Sequence, residues 1–199
     1  MHKLDSKNIS MIQSTVYLSS QIRYKLLQRE STNPYIVWSQ HNMKNQSTLK
    51  ICIEKDTWSN VLVSQKCLVI TGVRSMNELY KTIQMTMNYI DDMHILYDIY
   101  DSKPIIIEVV TPMININLAL GIKFDRDKIK KLFKDSEFYQ PYGENNIMIK
   151  YPHDMYNKKG KQVLTSITCH KNGNCKISGR CMDKMNIAYN KFIEKIKYL

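Results

Sequence analysis

Three cysteines and one histidine near the end of the chain are the residues whose types could bind a metal ion. They are Cys169, His170, Cys175 and Cys181. Zinc prefers thiolate and imidazole ligands, and a structural zinc site needs four that converge. Cys169 and His170 are neighbours on a predicted strand, so their side chains point to opposite faces of a sheet. Because the sequence also has no Cys-x-x-Cys pair, it favours unligated thiols packed in a sheet, with no metal and no cofactor.

Carboxylate pairs are the other residues that could do chemistry. Asp91-Asp92 and Asp125-x-Asp127 fall at the predicted ends of helices, where Asp125 is suited to cap a helix. The sequence contains no Gly-rich phosphate loop and no Ser–His–Asp or Cys–His grouping in a supporting context. It therefore predicts that the protein is not an enzyme.

Two short patterns of the chain are repeated. Residues 11–18 are echoed by residues 113–120, an offset of 102, and residues 67–72 are echoed by residues 174–179, an offset of 107. Each copy thus takes about half of the chain, which predicts one repeat over 1–100, including a polar loop at 30–47, and a second over 101–199. A strand-rich unit of this length cannot close a core alone, so we expect the two copies to pair.

The elements that must position any functional residues follow the same order in both halves. The first half predicts strands over 9–18 and 49–54, a helix over 21–29, and a hairpin of 58–64 and 67–71 that turns at Gln65-Lys66. A helix capped by Ser75 follows it. The second half predicts a strand over 113–120, a helix opened by Asp125, a strand over 146–151, a hairpin turning at Asn172-Gly173, and a closing helix. The simplest packing is an α+β fold, with helices on one side of an antiparallel sheet and the other side free to bind.

The charge of the chain indicates the kind of ligand. The net charge is +11, of which residues 1–100 carry +3 (11 basic, 8 acidic) and residues 101–199 carry +8 (18 basic, 10 acidic). A basic protein favours a polyanionic partner, most commonly nucleic acid, although lysine-rich surfaces also serve solubility alone. The odd number of cysteines, five, and the lack of a secretory segment predict an intracellular protein. The sequence has no stretch of 18 apolar residues, so it predicts no membrane span.

Strand alternation assigns a set of small, polar and aliphatic residues to the sheet face opposite the helices. This set comprises Gln13, Val61, Val63, Val69, Thr71, Asn115, Thr168, His170, Lys176 and Ser178. It changes from aliphatic in the first half to polar in the second. We interpret it as an asymmetric surface for the DNA minor groove, and the alternative is an exposed sheet face without a ligand.

The two hairpins and the order of the repeats resemble the TATA-box-binding protein family. Residues 61–75 are similar to its strand–turn–strand signature, Tyr139-Gln140-Pro141 to its Tyr-Glu-Pro, and residues 176–180 to its second Thr-Gly-Ala-Lys. Residues 188–193 fit its closing helix. The divergent members encoded by nucleocytoplasmic large DNA viruses are the most similar. The resemblance covers about residues 9–199.

The resemblance implies a saddle, in which two pseudo-symmetric repeats form one curved antiparallel sheet with helices on the convex side. It also implies a viral transcription initiation factor that binds promoter DNA and recruits a TFIIB-like factor and RNA polymerase, with a monomer as the expected state. The implied location is a cytoplasmic viral factory or the nucleus, or packaging in the virion. The alternative is an interaction platform of the transcription machinery that binds little or no DNA.

The resemblance also implies roles for individual residues. The family's four wedging Phe positions fall on Gln46, Val63, Glu144 and His170. Its paired groove-reading Asn positions, which lie on the DNA-binding sheet face, fall on Met11 and Met113, or on Asn115 after a slip in register. None of the four wedge positions holds Phe, so we expect a shallower kink of the DNA, or none. Cations at strand ends and turns are expected phosphate contacts: Lys66, Arg74, Lys150, Lys171 and Arg180. The expected partner-binding end contains Tyr139, Tyr142 and Glu144.

Overall fold

A computed structural model describes residues 4–27, 33–39, 45–133, 139–142, 146–157 and 160–197 of the chain. The protein belongs to the α+β class, and the described strands within each of its two compact units pair in antiparallel fashion. This confirms the predicted class and sheet type. Among the helices of the described residues, none combines the length and the apolar character that a membrane span requires.

The strands and helices form two series with a similar order along the chain. The first series is β1 (Ile9–Leu18), β2 (Ile36–Ser39), β3 (Ser47–Glu54), β4 (Thr57–Val63), β5 (Cys67–Val73) and α1 (Met76–Tyr97). The second series is β6 (Ile106–Ala119), α2 (Arg126–Phe133), β7 (Tyr139–Tyr142), β8 (Asn146–Tyr156), β9 (Gln162–His170), β10 (Asn174–Gly179) and α3 (Met182–Ile196). A short 3₁₀ turn, Tyr24–Leu27, stands in the first series where α2 stands in the second.

The chain divides into two compact units of the same topology. The N-terminal unit is Met11–Pro112, and the C-terminal unit is Met1–Ser10 with Met113–Leu199. In the N-terminal unit the strand order is β2-β3-β4-β5-β1, and in the C-terminal unit it is β7-β8-β9-β10-β6. In the N-terminal unit, β1 therefore pairs with β5, and in the C-terminal unit, β6 pairs with β10. The second strand of each pair directly precedes a long helix, α1 or α3.

The pairing register agrees between the units as well. Offsets of 102 residues in the first strand and 107 residues in the last strand convert the cross-strand pairs of one unit into those of the other. The corresponding pairs are Thr15–Val69 with Asn117–Lys176, and Tyr17–Cys67 with Ala119–Asn174. Two offsets taken from sequence similarity alone thus predict that the two strand pairs share one register. A one-residue slip in either offset would have moved every side chain to the other face.

Helix α1 covers one face of the N-terminal unit. Its start is fixed by Ser75, whose hydroxyl accepts a hydrogen bond from the Glu78 backbone N–H, while a Glu78 carboxylate oxygen accepts from the Arg74 backbone N–H. Leu79 and Ile90 are fully buried and Ile83 nearly so, and the helix packs on β3 and β5. The predicted cap is confirmed, because it arises from local spacing. Helical spacing also predicts an apolar stripe, of which Leu79, Ile83 and Ile90 are buried, whereas Met87 is half-buried and Met76 is exposed at the helix start.

Helix α3 covers one face of the C-terminal unit, where it packs on β9, β10 and α2. Its buried residues are Met185, Ala188, Phe192 and Ile196. The Phe192 ring stacks against Phe133 of α2, with ring centroids 6.1 Å apart. In each unit, the side of the strands that faces the helix is the buried one, as the apolar alternation predicts.

Four sequence predictions of elements differ from the structure. The helix predicted over 21–29 is a single 3₁₀ turn in its described part, although Ile22 and Leu27 are buried as expected. The predicted loop 30–47 contains strand β2. The proline and glycine of residues 139–143 predict a turn, but residues 139–142 form strand β7. Helix α1 continues to Tyr97, so Asp91 lies inside the helix. There its carboxylate accepts hydrogen bonds from the Tyr100 hydroxyl at 2.9 Å and the Lys103 ammonium at 2.7 Å.

Candidate nucleic-acid interface

The open face of each unit is the side of its strands that no helix of that unit covers. In the N-terminal unit this face contains Val69 and Thr71, which are half-buried, but not Val61 and Val63, whose side chains are 0% exposed. The prediction for Val61 and Val63 was therefore wrong. They lie opposite core residues and pack on the helix side.

The error comes from how the residues of the two strands pair across the hairpin loop. The loop has the two residues predicted, Gln65 and Lys66, and the backbone N–H of Ser64 donates to the carbonyl of Cys67 across it. A two-residue loop pairs odd-numbered residues with even-numbered ones. The observed pairs are Asn60–Thr71, Val61–Ile70, Leu62–Val69 and Val63–Leu68. Since directly opposed residues share a face, Leu62 and Asn60 accompany Val69 and Thr71 on the open face.

The second hairpin places its predicted residues as expected. Thr168, His170, Lys176 and Ser178 lie on the open face of the C-terminal unit, opposite the buried set Ile167, Cys169, Cys175 and Ile177. The loop has three residues, Lys171 to Gly173, rather than the predicted two, and Thr168 therefore pairs directly with Lys176. Thr168 is only 8% exposed, so the surface here is formed mainly by its neighbours.

A groove of about 480 Å³ lies at the loop end of this hairpin. Amide, imidazole and ammonium groups line it together with three smaller or apolar residues. The lining residues are Asn117, Leu118, Ala119, His170, Asn172, Asn174, Cys175 and Lys176. The structure thus brings His170 and Lys176 to one concave, polar region of the C-terminal unit.

One line of polar side chains crosses the strands at the same place in both units, and we call it the polar row. In the N-terminal unit it consists of Gln13, Thr71, Asn60 and Lys50, and in the C-terminal unit of Asn115, Ser178, Ser166 and Lys150. Gln13 joins the row at a bulge in β1, between the pairs Ile12–Val73 and Ser14–Ile70. Each row runs from an amide through short polar side chains to a lysine.

The amide end of the row differs between the units. Gln13, Met11 and Met113 are half-buried on their strands, whereas Asn115 is 2% exposed. The Ser178 hydroxyl donates to Asn115 Oδ1 at 2.6 Å, and the Ser10 hydroxyl donates to the Asn115 carbonyl oxygen at 3.2 Å. The expectation that Asn115 offers a free surface group was therefore wrong. Its amide instead holds the Ser178 side chain in place.

The predicted phosphate-contacting cations occupy matching positions in the two units. Lys66 lies in the β4–β5 loop and Lys171 in the β9–β10 loop. Arg74 and Arg180 each stand directly before the N-cap residue of a long helix, Ser75 or Cys181. All four cations are exposed, and Lys150 is half-buried in the polar row.

The remaining predicted residues divide into two groups. Gln46 is half-buried beside β3, and Val63 cannot wedge between bases from its buried position. Tyr139 and Tyr142 belong to β7, but their side chains, and all of Glu144, lie outside the described part of the structure. The predicted partner-binding end is therefore placed only by its strand.

The cysteine pair of the second hairpin is buried under helix α3. Cys169 and Cys175 are cross-strand neighbours with their sulfur atoms 3.6 Å apart, and His170 points to the opposite face, as alternation predicts. The neighbouring Cys175 thiol and burial hold the pKa of Cys169 far above its usual value, so this thiol stays protonated. Among the described residues, no three side chains of the metal-binding types lie together.

A buried histidine lies on β8, where it faces Thr165 of β9. His153 Nε2 is 2.8 Å from the Thr165 hydroxyl, and His153 is 7% exposed. Burial, followed by the positive charges of Lys184 and Lys191, lowers the pKa of His153. This residue is a structural one, because it lies on the helix side and away from the open face.

Sequence analysis missed several residues of the open faces. They are Lys50, Asn60, Leu62, Asn117, Met148 and Ser166. Lys50 could have been found from the alternation of β3, in which Leu49, Ile51 and Ile53 mark the buried face. Asn60 and Leu62 follow from the two-residue Gln65-Lys66 loop, whose odd–even pairing places them opposite Thr71 and Val69. The remaining three need a cross-strand register that the sequence alone does not fix.

No protein-family model matches this chain, and no curated protein matches it.

Proposed function

We propose that the protein binds double-stranded DNA through the open faces of its two units. The observation that carries this proposal is the repetition of cations and short polar side chains at matching places in both units. A row lysine, a loop lysine and an arginine before a helix occur once in each: Lys50, Lys66 and Arg74, then Lys150, Lys171 and Arg180. A duplex presents two equivalent phosphate strands, so a duplicated cationic surface suits it.

The side chains between these cations favour the minor groove. The middle positions of the polar row are Thr71 and Asn60 in one unit and Ser178 and Ser166 in the other. The side chains of Thr71, Asn60 and Ser166 can donate to the minor-groove acceptors of A·T pairs. Ser178 already donates its hydroxyl to Asn115, so it contributes a short side chain that lets the sheet approach the groove. We therefore propose AT-rich duplex DNA as the ligand.

The finer assignment is a transcription initiation factor similar to the TATA-box-binding protein family, with the saddle fold of two repeats. It is supported by the resemblance of the two hairpins and by the shared topology and register of the two units. Under this assignment, promoter DNA is the ligand, and a TFIIB-like factor and RNA polymerase are the partners. Since Val63 is buried, a pair of apolar wedges cannot form in the N-terminal unit by the family's pattern, and we expect a smaller bend of the DNA.

The test is binding of a fluorescent AT-rich duplex, measured by anisotropy at low salt. Reversing two cations, Lys176→Glu with Arg180→Glu, is expected to abolish binding, because two attractive phosphate contacts become repulsive. The matched control reverses two lysines of helix α3, Lys191→Glu with Lys195→Glu, which carry the same change of charge on the helix side. If both variants lost DNA binding equally, the loss would reflect the lower net charge of the protein. That result would contradict the open faces as the DNA-binding surface.

A protein-interaction platform is the second candidate, and one observation favours it. Large apolar side chains are exposed on the open face of the N-terminal unit, where Tyr17 is 43%, Trp58 42% and Val37 47% exposed. Exposed aromatic residues are enriched at protein interfaces. If the wild-type protein binds no duplex at low salt, while Trp58→Ala releases a co-purifying protein, this candidate replaces the first.

A further inference from the structure

A groove of about 550 Å³ lies in the C-terminal unit, where the start of helix α2 meets the end of helix α3. Isoleucines, lysines and one aspartate line it. The lining residues are Ile122, Lys123, Asp125, Lys128, Ile193, Ile196 and Lys197. Helix α3 packs on the buried side of β9 and β10, so the groove is separate from the open face of this unit.

The floor of the groove is apolar and rigidly supported. Ile196 is 7% exposed and belongs to the core of the unit, and Ile193 packs against the same core. Ile122 is 40% exposed, which leaves an apolar side chain at the surface beside them. A ligand that covers these three residues would remove apolar area from water at no cost in core rearrangement.

The rim of the groove is positively charged. Lys123, Lys128 and Lys197 are exposed, and none of them pairs with a carboxylate of the described residues. The lining carboxylate, Asp125, accepts hydrogen bonds from the backbone N–H groups of Asp127 at 2.9 Å and Lys128 at 3.2 Å. Three lysines and one aspartate therefore give the lining a net charge of +2 (three positive, one negative) around an apolar floor.

We propose that this groove binds an acidic segment of a protein partner that carries at least one large apolar side chain. The lysines select negative charge, and the isoleucines select an apolar anchor between the acidic residues. Nucleic acid fits less well, because a phosphate backbone gains nothing from an aliphatic floor. The proposal is independent of DNA binding by the open faces.

The probe is a fluorescent peptide in which glutamates alternate with leucines, and binding is measured by anisotropy with the full chain. Two matched peptides replace all glutamates by glutamine or all leucines by serine. Two protein variants are compared with the wild type: Lys128→Glu with Lys197→Glu in the groove, and Lys191→Glu on α3 outside it. We expect the groove variant to bind the peptide at least about tenfold more weakly, and the control to bind it normally.

Each outcome supports or overturns the proposal. Binding that needs both the glutamates and the leucines, and that is lost in the groove variant, supports it. Equal binding of the glutamine peptide, or no binding of the glutamate peptide, overturns it. A groove variant that loses duplex DNA but keeps the peptide assigns the groove to nucleic acid instead. If the groove variant fails to fold, Ile122→Ser and the matched peptides decide the question, since Ile122 is exposed.

Discussion

Val61 and Leu62 lie on opposite faces of the first hairpin, so substitutions of the two residues should change the free energy of unfolding by different amounts. Val61 is 0% exposed and lies opposite Leu49 and Ile70, whereas Leu62 is half-buried on the open face. Val61→Thr keeps the shape of the side chain but buries a hydroxyl among apolar neighbours. An unpaired buried hydroxyl costs about 1–3 kcal/mol of the free energy of unfolding. Leu62→Thr changes a partly solvated position and should stay within about 0.5 kcal/mol.

The assay is thermal and urea unfolding followed by circular dichroism. For a chain of this size, each kcal/mol shifts Tm by about 2–4 °C, so Val61→Thr should lower Tm by roughly 2–12 °C. Leu62→Thr should leave Tm nearly unchanged. A Leu62→Thr protein that is as unstable as Val61→Thr, or less stable, would refute the parity argument and with it the composition of the open face.

Three further predictions concern stability. The pKa of His153 is lower in the folded protein than its unfolded value of about 6.5. As the pH falls below about 6.5, the unfolded chain therefore binds a proton at His153 before the folded chain does, and the free energy of unfolding decreases. Chemical denaturation from pH 7.5 to 5 should show a flatter dependence in His153→Gln, and an unchanged slope would contradict this. Gly173→Ala should destabilise the chain by at least about 1–3 kcal/mol in urea unfolding, because φ is +88° and an added Cβ would overlap the Ile122 carbonyl oxygen. Ser75→Ala should cost about 1 kcal/mol through loss of the cap on α1, and a loss below about 0.3 kcal/mol would show that the hydrogen bond at this cap is not stabilising.

Local patterns in the sequence predicted the elements that depend on local physics. The cap at Ser75, the buried stripe of α1 and the alternation of β3 are set by residues within one or two turns of each other. The two sequence offsets also imply that the β1–β5 and β6–β10 pairs share one register, although they do not give the register itself. A repeated sequence thus carries long-range information that a single copy lacks.

Features set by loop geometry and tertiary contacts could not be predicted in the same way. The face of Val61 is an exception, because the two-residue Gln65-Lys66 loop was predicted correctly and its odd–even pairing already places Val61 beside Ile70 on the buried face. The burial of Asn115 depends on Ser10 and Ser178, which are distant in sequence. The 3₁₀ turn at Tyr24–Leu27 replaces a predicted helix because packing decides the length of short helical segments.

The central claim is that the lysine at the end of each polar row, Lys50 or Lys150, contacts phosphate. The most direct measurement is the slope of log affinity against log salt concentration for an AT-rich duplex, in the wild type, Lys50→Gln, Lys150→Gln and the double variant. Each released phosphate contact is worth about 0.9 in this slope, so each single variant should be shallower by about 0.9 and the double variant by about twice that. Lys81→Gln on helix α1 should leave the slope unchanged. Slopes that are unaffected by Lys50→Gln and Lys150→Gln, or that change equally in Lys81→Gln, would contradict the account.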